Sequence, residues 1–235
     1  FGILLDGQYG DDALAAMGDY PYWIGRPIEA SGELPLNFVG GDAVATEINT
    51  WPLTQTVKCL VNYRMSDPVD RRERQDGQLL RLFDACRKTR HELLVEITTS
   101  ENGSRDPGAI TATIERLYDI GIYPDWWKLE AAGTDAEFEQ ISTVINENDP
   151  WCRGIVLLGL AAPMDELLAS FRMAATHGLV KGFAVGRSIW HDAAQSWLAG
   201  ETGDDQFVAS VRERFLTLVN AWAEARTTEQ RIGNA

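Results

Sequence analysis

Histidine and cysteine are scarce in this chain of 235 residues, and each shortage argues against a kind of site. The histidines His91, His177 and His191 fall on predicted helices or before a predicted strand, so a zinc site built from a histidine cluster is not expected. The 3 cysteines are scattered and odd in number, which favours reduced thiols in a cytoplasmic protein over a disulfide framework. We therefore expect no metal and no other cofactor.

Positive charge, long apolar runs and nucleotide-binding motifs are also lacking. The net charge of -14 argues against nucleic acid and anionic membranes as partners. No apolar run approaches the roughly 20 residues of a membrane span, and no signal peptide opens the chain. Neither a G-x-G-x-x-G after the first predicted strand nor a G-x-x-x-x-G-K-[ST] occurs, so dinucleotide and P-loop chemistry have no support.

Short apolar segments alternate with helical segments along the whole chain. Such near-continuous apolar strands between helices predict a parallel sheet that helices cover. The predicted strands are centred on Ile3, Trp23, Lys58, Leu94, Trp126, Ile155 and Phe183.

An open doubly wound sheet and a closed (β/α)8 barrel both fit this alternation. Polar residues follow several different strands, which favours the barrel, because its active sites form at the carboxyl ends of the strands. These residues are Asp6, Arg26, Asn62, Glu96, Glu130 and Arg187. We expect a TIM-type barrel whose first strand is missing before Phe1, with one domain over residues 1–226 and a polar tail over 227–235.

A lysine interrupts the apolar stretch Pro124-Asp125-Trp126-Trp127-Lys128-Leu129-Glu130. Burial disfavours the ammonium form and lowers the pKa of a lysine. A neutral amine near pH 7 is a nucleophile that forms Schiff bases with ketones and aldehydes. The alternative is that Lys128 sits at a strand end with its amine in solvent.

Several segments, in order, resemble the domain of unknown function fused to some bacterial myo-inositol-catabolism kinases that act on 5-dehydro-2-deoxygluconate. That domain in turn is similar to the class I tagatose-bisphosphate aldolases. The resemblance spans Phe1 to Trp222, and the family has an additional first strand that carries an aspartate. The matching segments are Leu4-Leu5-Asp6-Gly7-Gln8-Tyr9-Gly10, Val57 to Tyr63, Leu94-Val95-Glu96-Ile97, Trp127-Lys128-Leu129-Glu130, and Gly182 to Trp190.

The resemblance implies that Lys128 is the Schiff-base lysine, that Lys58 contacts substrate and that Glu96 moves protons. A second cation at Lys58 also lowers the pKa of a neighbouring lysine. The alternatives are that Lys58 reaches the barrel floor and that Glu96 forms an ion pair with one lysine. Asp6 and Arg26 are either substrate contacts or loop structure.

Glycines and an arginine at the last two strand ends predict phosphate binding. The loops after the last two strands of a barrel, with a helix N-terminus, commonly bind phosphate. Gly159 ends one strand, and Gly186 and Arg187 end the next and open a helix. The alternative is that the glycines only turn the chain and Arg187 pairs with an acidic neighbour.

Together these features predict a class I aldolase that acts on a phosphorylated keto sugar or sugar acid. The resemblance implies cleavage of 6-phospho-5-dehydro-2-deoxygluconate to dihydroxyacetone phosphate and malonate semialdehyde. The alternative is a non-catalytic sugar-phosphate-binding domain that regulates an attached or associated carbohydrate kinase. Whether the chain forms a homo-oligomer stays open.

Overall fold

The computed structural model describes residues 1–100 and 106–232, and within these ranges β-strands alternate with α-helices. A 3-10 turn at Gly41–Ala43 precedes the second helix. The strands are β1 Gly2–Leu4, β2 Trp23–Pro27, β3 Gln55–Asn62, β4 Leu93–Thr98, β5 Trp126–Leu129, β6 Gly154–Leu158 and β7 Val180–Ala184. The helices are α1 Asp11–Met17, α2 Val44–Ile48, α3 Val69–Thr89, α4 Ala109–Asp119, α5 Asp135–Asn148, α6 Met164–Ala174, α7 Arg187–Leu198 and α8 Asp204–Ile232.

The chain divides into two compact units. The first contains Phe1–Leu129 with Gln140–Gly154, and the second contains Glu130–Glu139 with the described chain from Ile155 onward. In the first unit β1 to β5 pair side by side in chain order, and every pair is parallel. Parallel neighbours that follow one another in sequence need a crossover connection, which the helices between them provide.

Side chains of β3, β4 and β5 alternate between two faces of this sheet. One face carries fully buried apolar residues such as Val57, Cys59 and Val95. Helices cover that face, because Tyr63 just after β3 donates a hydrogen bond to Asp76 of α3 and Trp127 of β5 donates one to Tyr118 of α4. The polar residues that interrupt the strands therefore point to the other face.

The second unit packs around an aromatic cluster. Phe171 of α6 stacks on Phe183 of β7 with ring centroids 4.5 Å apart, and Trp222 of α8 meets both rings edge-on. The strands β6 and β7 are parallel neighbours. Thr134 caps the N-terminus of α5, since its hydroxyl accepts a hydrogen bond from the backbone of Glu137 at 3.2 Å.

Parallel strands in chain order with a helix after each strand are the architecture of a TIM-type α/β fold, as the sequence predicted. All the predicted strands form where they were expected. The last helix α8 continues to Ile232, and the domain boundary at residue 226 stays a prediction. None of the described helices combines the length and the apolar character needed to cross a bilayer.

We expect Asp76→Asn to lower the free energy of unfolding by about 2 kcal/mol, because hydrogen bonds to a buried charged group contribute roughly 1.5–3 kcal/mol. Asp76 is 6% exposed and accepts from Tyr63 and from Arg116, each at 2.7 Å. Urea denaturation measures the change. The matched control on the same helix is Asp84→Asn, which affects only an exposed pair with Lys88 and should change stability by less than about 0.5 kcal/mol.

Candidate active site

Three neighbouring strands place two lysines and a glutamate on the sheet face opposite to helices α3 and α4. Glu96 of β4 and Lys128 of β5 are partners in the strand register. Lys58 of β3 is aligned with Leu94, two residues before Glu96, and so points to the same face. The strands of a parallel sheet are apolar because both faces of the sheet are buried. Each of these three charged residues interrupts such an apolar strand.

The glutamate is shared between the two lysines. One carboxylate oxygen of Glu96, Oε2, lies 2.7 Å from Nζ of Lys58, and the other, Oε1, lies 2.9 Å from Nζ of Lys128. Lys58 has a second partner, because Oε1 of Glu29 lies 2.5 Å from its Nζ. The order of contacts is therefore Glu29, Lys58, Glu96, Lys128, and we call these four side chains the ionic relay.

The ionic relay is withdrawn from solvent. Its side chains are 8% to 12% exposed. Two ammonium and two carboxylate groups cancel one another in charge, which is how buried ions are usually tolerated.

The two middle members of the relay stay ionised. Burial alone lowers the pKa of Lys58, but the carboxylates of Glu29 and Glu96 outweigh burial and raise that pKa above its ordinary value. Burial alone raises the pKa of Glu96, but the ammonium groups of Lys58 and Lys128 outweigh it and hold that pKa below its ordinary value.

Lys128 differs from Lys58 in its balance of charges. Burial lowers the pKa of Lys128, Glu96 opposes that change, and the charge of Lys58 adds to it, so the net shift is downward. Burial and a neighbouring cation are the two effects that the sequence predicted for this lysine. The amine of Lys128 is therefore neutral at a lower pH than that of an exposed lysine.

This arrangement has the parts that Schiff-base chemistry needs. Lys128 provides a buried amine with a lowered pKa, Glu96 provides a carboxylate within 2.9 Å of that amine, and Lys58 provides a fixed cation beside the same carboxylate. An amine of this kind attacks carbonyl carbon, and an adjacent carboxylate accepts and returns protons. The two alternatives for Glu96, proton transfer and ion pairing, are both compatible with its position.

The carboxyl ends of β3 and β4 carry a polar pair beyond the relay. Asn62 and Thr98 are register partners, and the Asn62 amide donates a hydrogen bond to the Thr98 hydroxyl at 3.3 Å. Both have the parity of Lys58 and Glu96 in their strands and point to the same face. They supply uncharged hydrogen-bonding groups on the side where the strands end.

Arg26 and Asp6 are not brought to the ionic relay. Arg26 is the register partner of Val57, so its side chain stands on the face opposite to Lys58. Its guanidinium lies 4.2 Å from the ring centroid of Trp51. Asp6 accepts hydrogen bonds from the backbone of two residues in the turn after β1, at 2.8 and 2.7 Å. The contacts of Asp6 are those of a loop-structure role, and a substrate contact by Asp6 or Arg26 stays a prediction.

The loops after β6 and β7 lie against each other in the second unit. A Cβ atom on Gly159 would come within 2.8 Å of Val185, so this close approach requires glycine. The Ser188 hydroxyl at the start of α7 donates a hydrogen bond to the backbone carbonyl of Ala162 at 2.8 Å. The structure thus brings together the strand ends that carry Gly159 and Gly186.

Arg187 opens helix α7 with an exposed side chain. In the part of the chain that the structure describes, no acidic side chain pairs with its guanidinium, so the predicted alternative of an ion pair is not seen there. Helix N-termini bind anions through their backbone N–H groups, and an arginine adds paired donors. The position is thus compatible with the predicted phosphate contact.

The turn after β6 has a backbone conformation that the sequence does not predict. Leu160 and Ala161 adopt positive φ angles of 46° and 60°, in the left-handed region where glycine is the usual residue. Non-glycine residues in this region are uncommon and cluster at functional sites. No glycine stands at either position, so no sequence signal pointed to this turn.

Glu29 is the member of the relay that the sequence analysis did not single out. It follows β2 in an irregular segment, where no periodicity shows which way a side chain points. One indication was its spacing. Glu29 lies two residues after Pro27, the register partner of Lys58, and alternate residues of a strand point to the same face.

Across residues 1–100 and 106–232, no group of three or more His, Cys, Asp or Glu side chains has the geometry to hold a metal ion.

The fold and the relay define a TIM-type α/β protein with a buried lysine and carboxylate site. More narrowly, the chain belongs to the family described as uncharacterized proteins conserved in bacteria, DUF2090, which matches residues 1–226. No curated protein matches the chain.

Solved structures with the same fold include aldolases. Fructose-bisphosphate aldolase from Plasmodium falciparum, in complex with TRAP and a small-molecule inhibitor, has a TM-score of 0.67 at 14% identity, over 96% of this chain and 76% of that one. Cgl0159 from Corynebacterium glutamicum has a TM-score of 0.60 at 20% identity, over 97% and 71%. An archaeal fructose 1,6-bisphosphate aldolase has a TM-score of 0.57 at 14% identity, over 80% and 71%. At these identities the similarity establishes the fold.

Replacing the shared carboxylate should destabilise the protein strongly. Glu96→Gln leaves Lys58 with Glu29 as its carboxylate partner and leaves the buried ammonium group of Lys128 without the carboxylate that it contacts. Removing one partner of a buried ion pair costs about 3–5 kcal/mol. We expect a loss of this size at pH 7 in urea denaturation. The loss should shrink as pH rises toward the lysine pKa values, because neutral amines no longer need the carboxylate.

The matched control is Glu115→Gln on α4, an exposed glutamate that should change stability by less than about 0.5 kcal/mol at either pH. A Glu96→Gln loss that stays constant from pH 7 to alkaline pH would show that charge is not the cause.

Proposed function

We propose that the protein is a class I aldolase that cleaves a phosphorylated keto sugar or sugar acid through a Schiff base on Lys128. The observation that carries the proposal is that the two buried lysines differ in their carboxylate contacts and in the direction of their pKa shifts. Lys58 contacts two carboxylates and keeps its proton, whereas Lys128 contacts one shared carboxylate and has a lowered pKa.

In the proposed reaction the neutral amine of Lys128 attacks the substrate ketone and forms a carbinolamine. Glu96 accepts the proton that the amine gives up and returns one to the hydroxyl, which leaves as water. The resulting iminium withdraws electrons, so the carbon–carbon bond breaks when Glu96 accepts the proton of the substrate hydroxyl group β to the iminium carbon; an aldehyde departs and the remaining fragment is an enamine. Glu96 returns this proton to the enamine carbon, and hydrolysis of the iminium so formed releases the second product and restores Lys128.

Lys58 has a separate part in this proposal. Its ammonium sits 2.7 Å from Glu96 and favours the ionised carboxylate, which is the form that accepts protons. It also disfavours a second positive charge on Lys128 before substrate arrives. Both effects act before the carbon–carbon bond breaks.

The similarity of the fold to fructose-bisphosphate aldolases supports this reaction class. The family resemblance of the strand segments adds a particular substrate to the proposal, 6-phospho-5-dehydro-2-deoxygluconate, which would give dihydroxyacetone phosphate and malonate semialdehyde. The same resemblance makes an associated carbohydrate kinase part of the proposal.

Lys128→Met keeps the bulk of the side chain and removes the nucleophile. We expect it to lower kcat for ketose phosphate cleavage by about 10³-fold or more, because loss of a covalent nucleophile removes the whole pathway. When wild-type protein is treated with dihydroxyacetone phosphate and borohydride, the peptide that contains Lys128 should gain the mass of the reduced adduct. The same treatment should leave the variant unmodified. Mass spectrometry measures both results.

The matched control is Lys181→Met, which replaces an exposed lysine bonded to the Gly178 carbonyl and should trap like wild type. Chelator should leave wild-type cleavage unchanged. An adduct found on Lys58 instead would move the nucleophile, and activity abolished by chelator with no trapped adduct would contradict the class I mechanism.

We also propose that Gly159, Gly186 and Arg187 bind phosphate on the adjoining loops after β6 and β7. Arg187→Ala should weaken the binding of inorganic phosphate and of ketose phosphates by about 2 kcal/mol, the size of a charge-assisted hydrogen bond. Isothermal titration calorimetry measures the change. Arg212→Ala, on an exposed part of α8, should leave binding unaltered, and equal affinities for wild type and Arg187→Ala would exclude the contact.

A further inference from the structure

Glu29 is held in place by its own backbone. It forms an antiparallel bridge with Phe38, a buried residue. On either side of the bridge, Ala30 donates a backbone hydrogen bond to Asn37 and Val39 donates one to Ile28, each at 2.8 Å. Backbone hydrogen bonds therefore fix the segment that carries this carboxylate.

The carboxylate of Glu29 is directed to a single group. Its Oε1 accepts a hydrogen bond from Nζ of Lys58 at 2.5 Å, and among the described residues no other hydrogen bond or ion pair reaches this side chain. The side chain is 12% exposed. A carboxylate placed in a buried position with one partner acts mainly on the ionisation of that partner.

The charges of the relay show what Glu29 adds. Without it, Glu96 would face two ammonium groups alone, and either lysine could release its proton to relieve the excess positive charge. With it, Lys58 lies between two carboxylates, whereas among the described residues Lys128 contacts only the shared one. Within that part of the chain, Glu29 is the carboxylate that contacts one lysine, Lys58, and not the other.

We infer that Glu29 is a positioning residue that keeps Lys58 as an ammonium ion and so leaves Lys128 as the lysine that carries the free amine. The charged groups that act on Lys58 are Glu29 and Glu96, and those that act on Lys128 are Glu96, Lys58 and, more weakly, Glu29. The consequence for catalysis rests on the proposed aldolase function, whereas the effect on the two amines can be measured without substrate.

The test is competitive labelling with trace acetic anhydride across a range of pH, with each lysine quantified by peptide mass spectrometry. Only the neutral amine reacts, so the labelling rate of each lysine follows its own ionisation. In wild type we expect Lys128 to become reactive at a lower pH than Lys58. In Glu29→Gln we expect the Lys58 profile to move to lower pH, with its rate at a fixed pH below the midpoint rising about tenfold for each pKa unit.

The Lys128 profile should move the opposite way in Glu29→Gln. Once Lys58 is neutral, Lys128 has lost a repelling charge and no longer shares Glu96 with another cation, so its reactivity begins at higher pH. Glu33→Gln, on the same segment and exposed, is the matched control and should leave both profiles at the wild-type positions. Glu29→Asp, which keeps the charge but withdraws it by one methylene, should give profiles between the other two, and it provides the test if the glutamine variant does not fold.

Profiles of Lys58 and Lys128 that are unchanged in both Glu29 variants would overturn the inference. Borohydride trapping on wild type separates this inference from the proposed function. If the profiles shift as expected and no ketose phosphate is ever trapped on Lys128, the role of Glu29 stands and the aldolase proposal fails. If Lys128 traps substrate and the profiles do not shift, the aldolase proposal stands and the role of Glu29 fails.

Discussion

A single carboxylate between two buried ammonium groups is the interaction on which the site depends. Water is largely excluded there, so each charge must be neutralised by protein groups. Glu96 cannot satisfy two lysines equally once one of them has a further partner. Two side chains of identical chemistry thus have pKa values shifted in opposite directions, because two carboxylates outweigh burial at Lys58, whereas burial and the charge of Lys58 outweigh the one carboxylate beside Lys128.

The fold supplies this arrangement through the simple rule that side chains alternate in a strand. Three adjacent parallel strands each present one ion to the same face, and the register brings Glu96 between Lys58 and Lys128. The opposite face packs against helices through groups such as Trp127 and Tyr118. Alternate residues of the same short strands therefore form the site on one face and the hydrophobic core on the other.

Much of this was predictable, because buried parallel strands are apolar throughout and any ion within one is conspicuous. Lys128 was singled out in this way, the family resemblance added Lys58 and Glu96, and the apolar runs predicted all the strands. Arg26 also ends an apolar segment, and only the register shows that its side chain points to the face opposite to Lys58. Glu29 and the left-handed turn at Leu160 lie in irregular segments, where neither periodicity nor residue type indicates direction.

The alternation of faces has a consequence for how the sheet assembles. Lys58 lies between Val57 and Cys59, and Glu96 lies between Val95 and Ile97, all four of which are fully buried. Slipping either strand by one residue would turn an ion toward the helices and put a hydrophobic side chain in its place at the site. Each slipped register would bury a charge without its partner, so the ions make the alignment of these strands more specific than their apolar residues alone would.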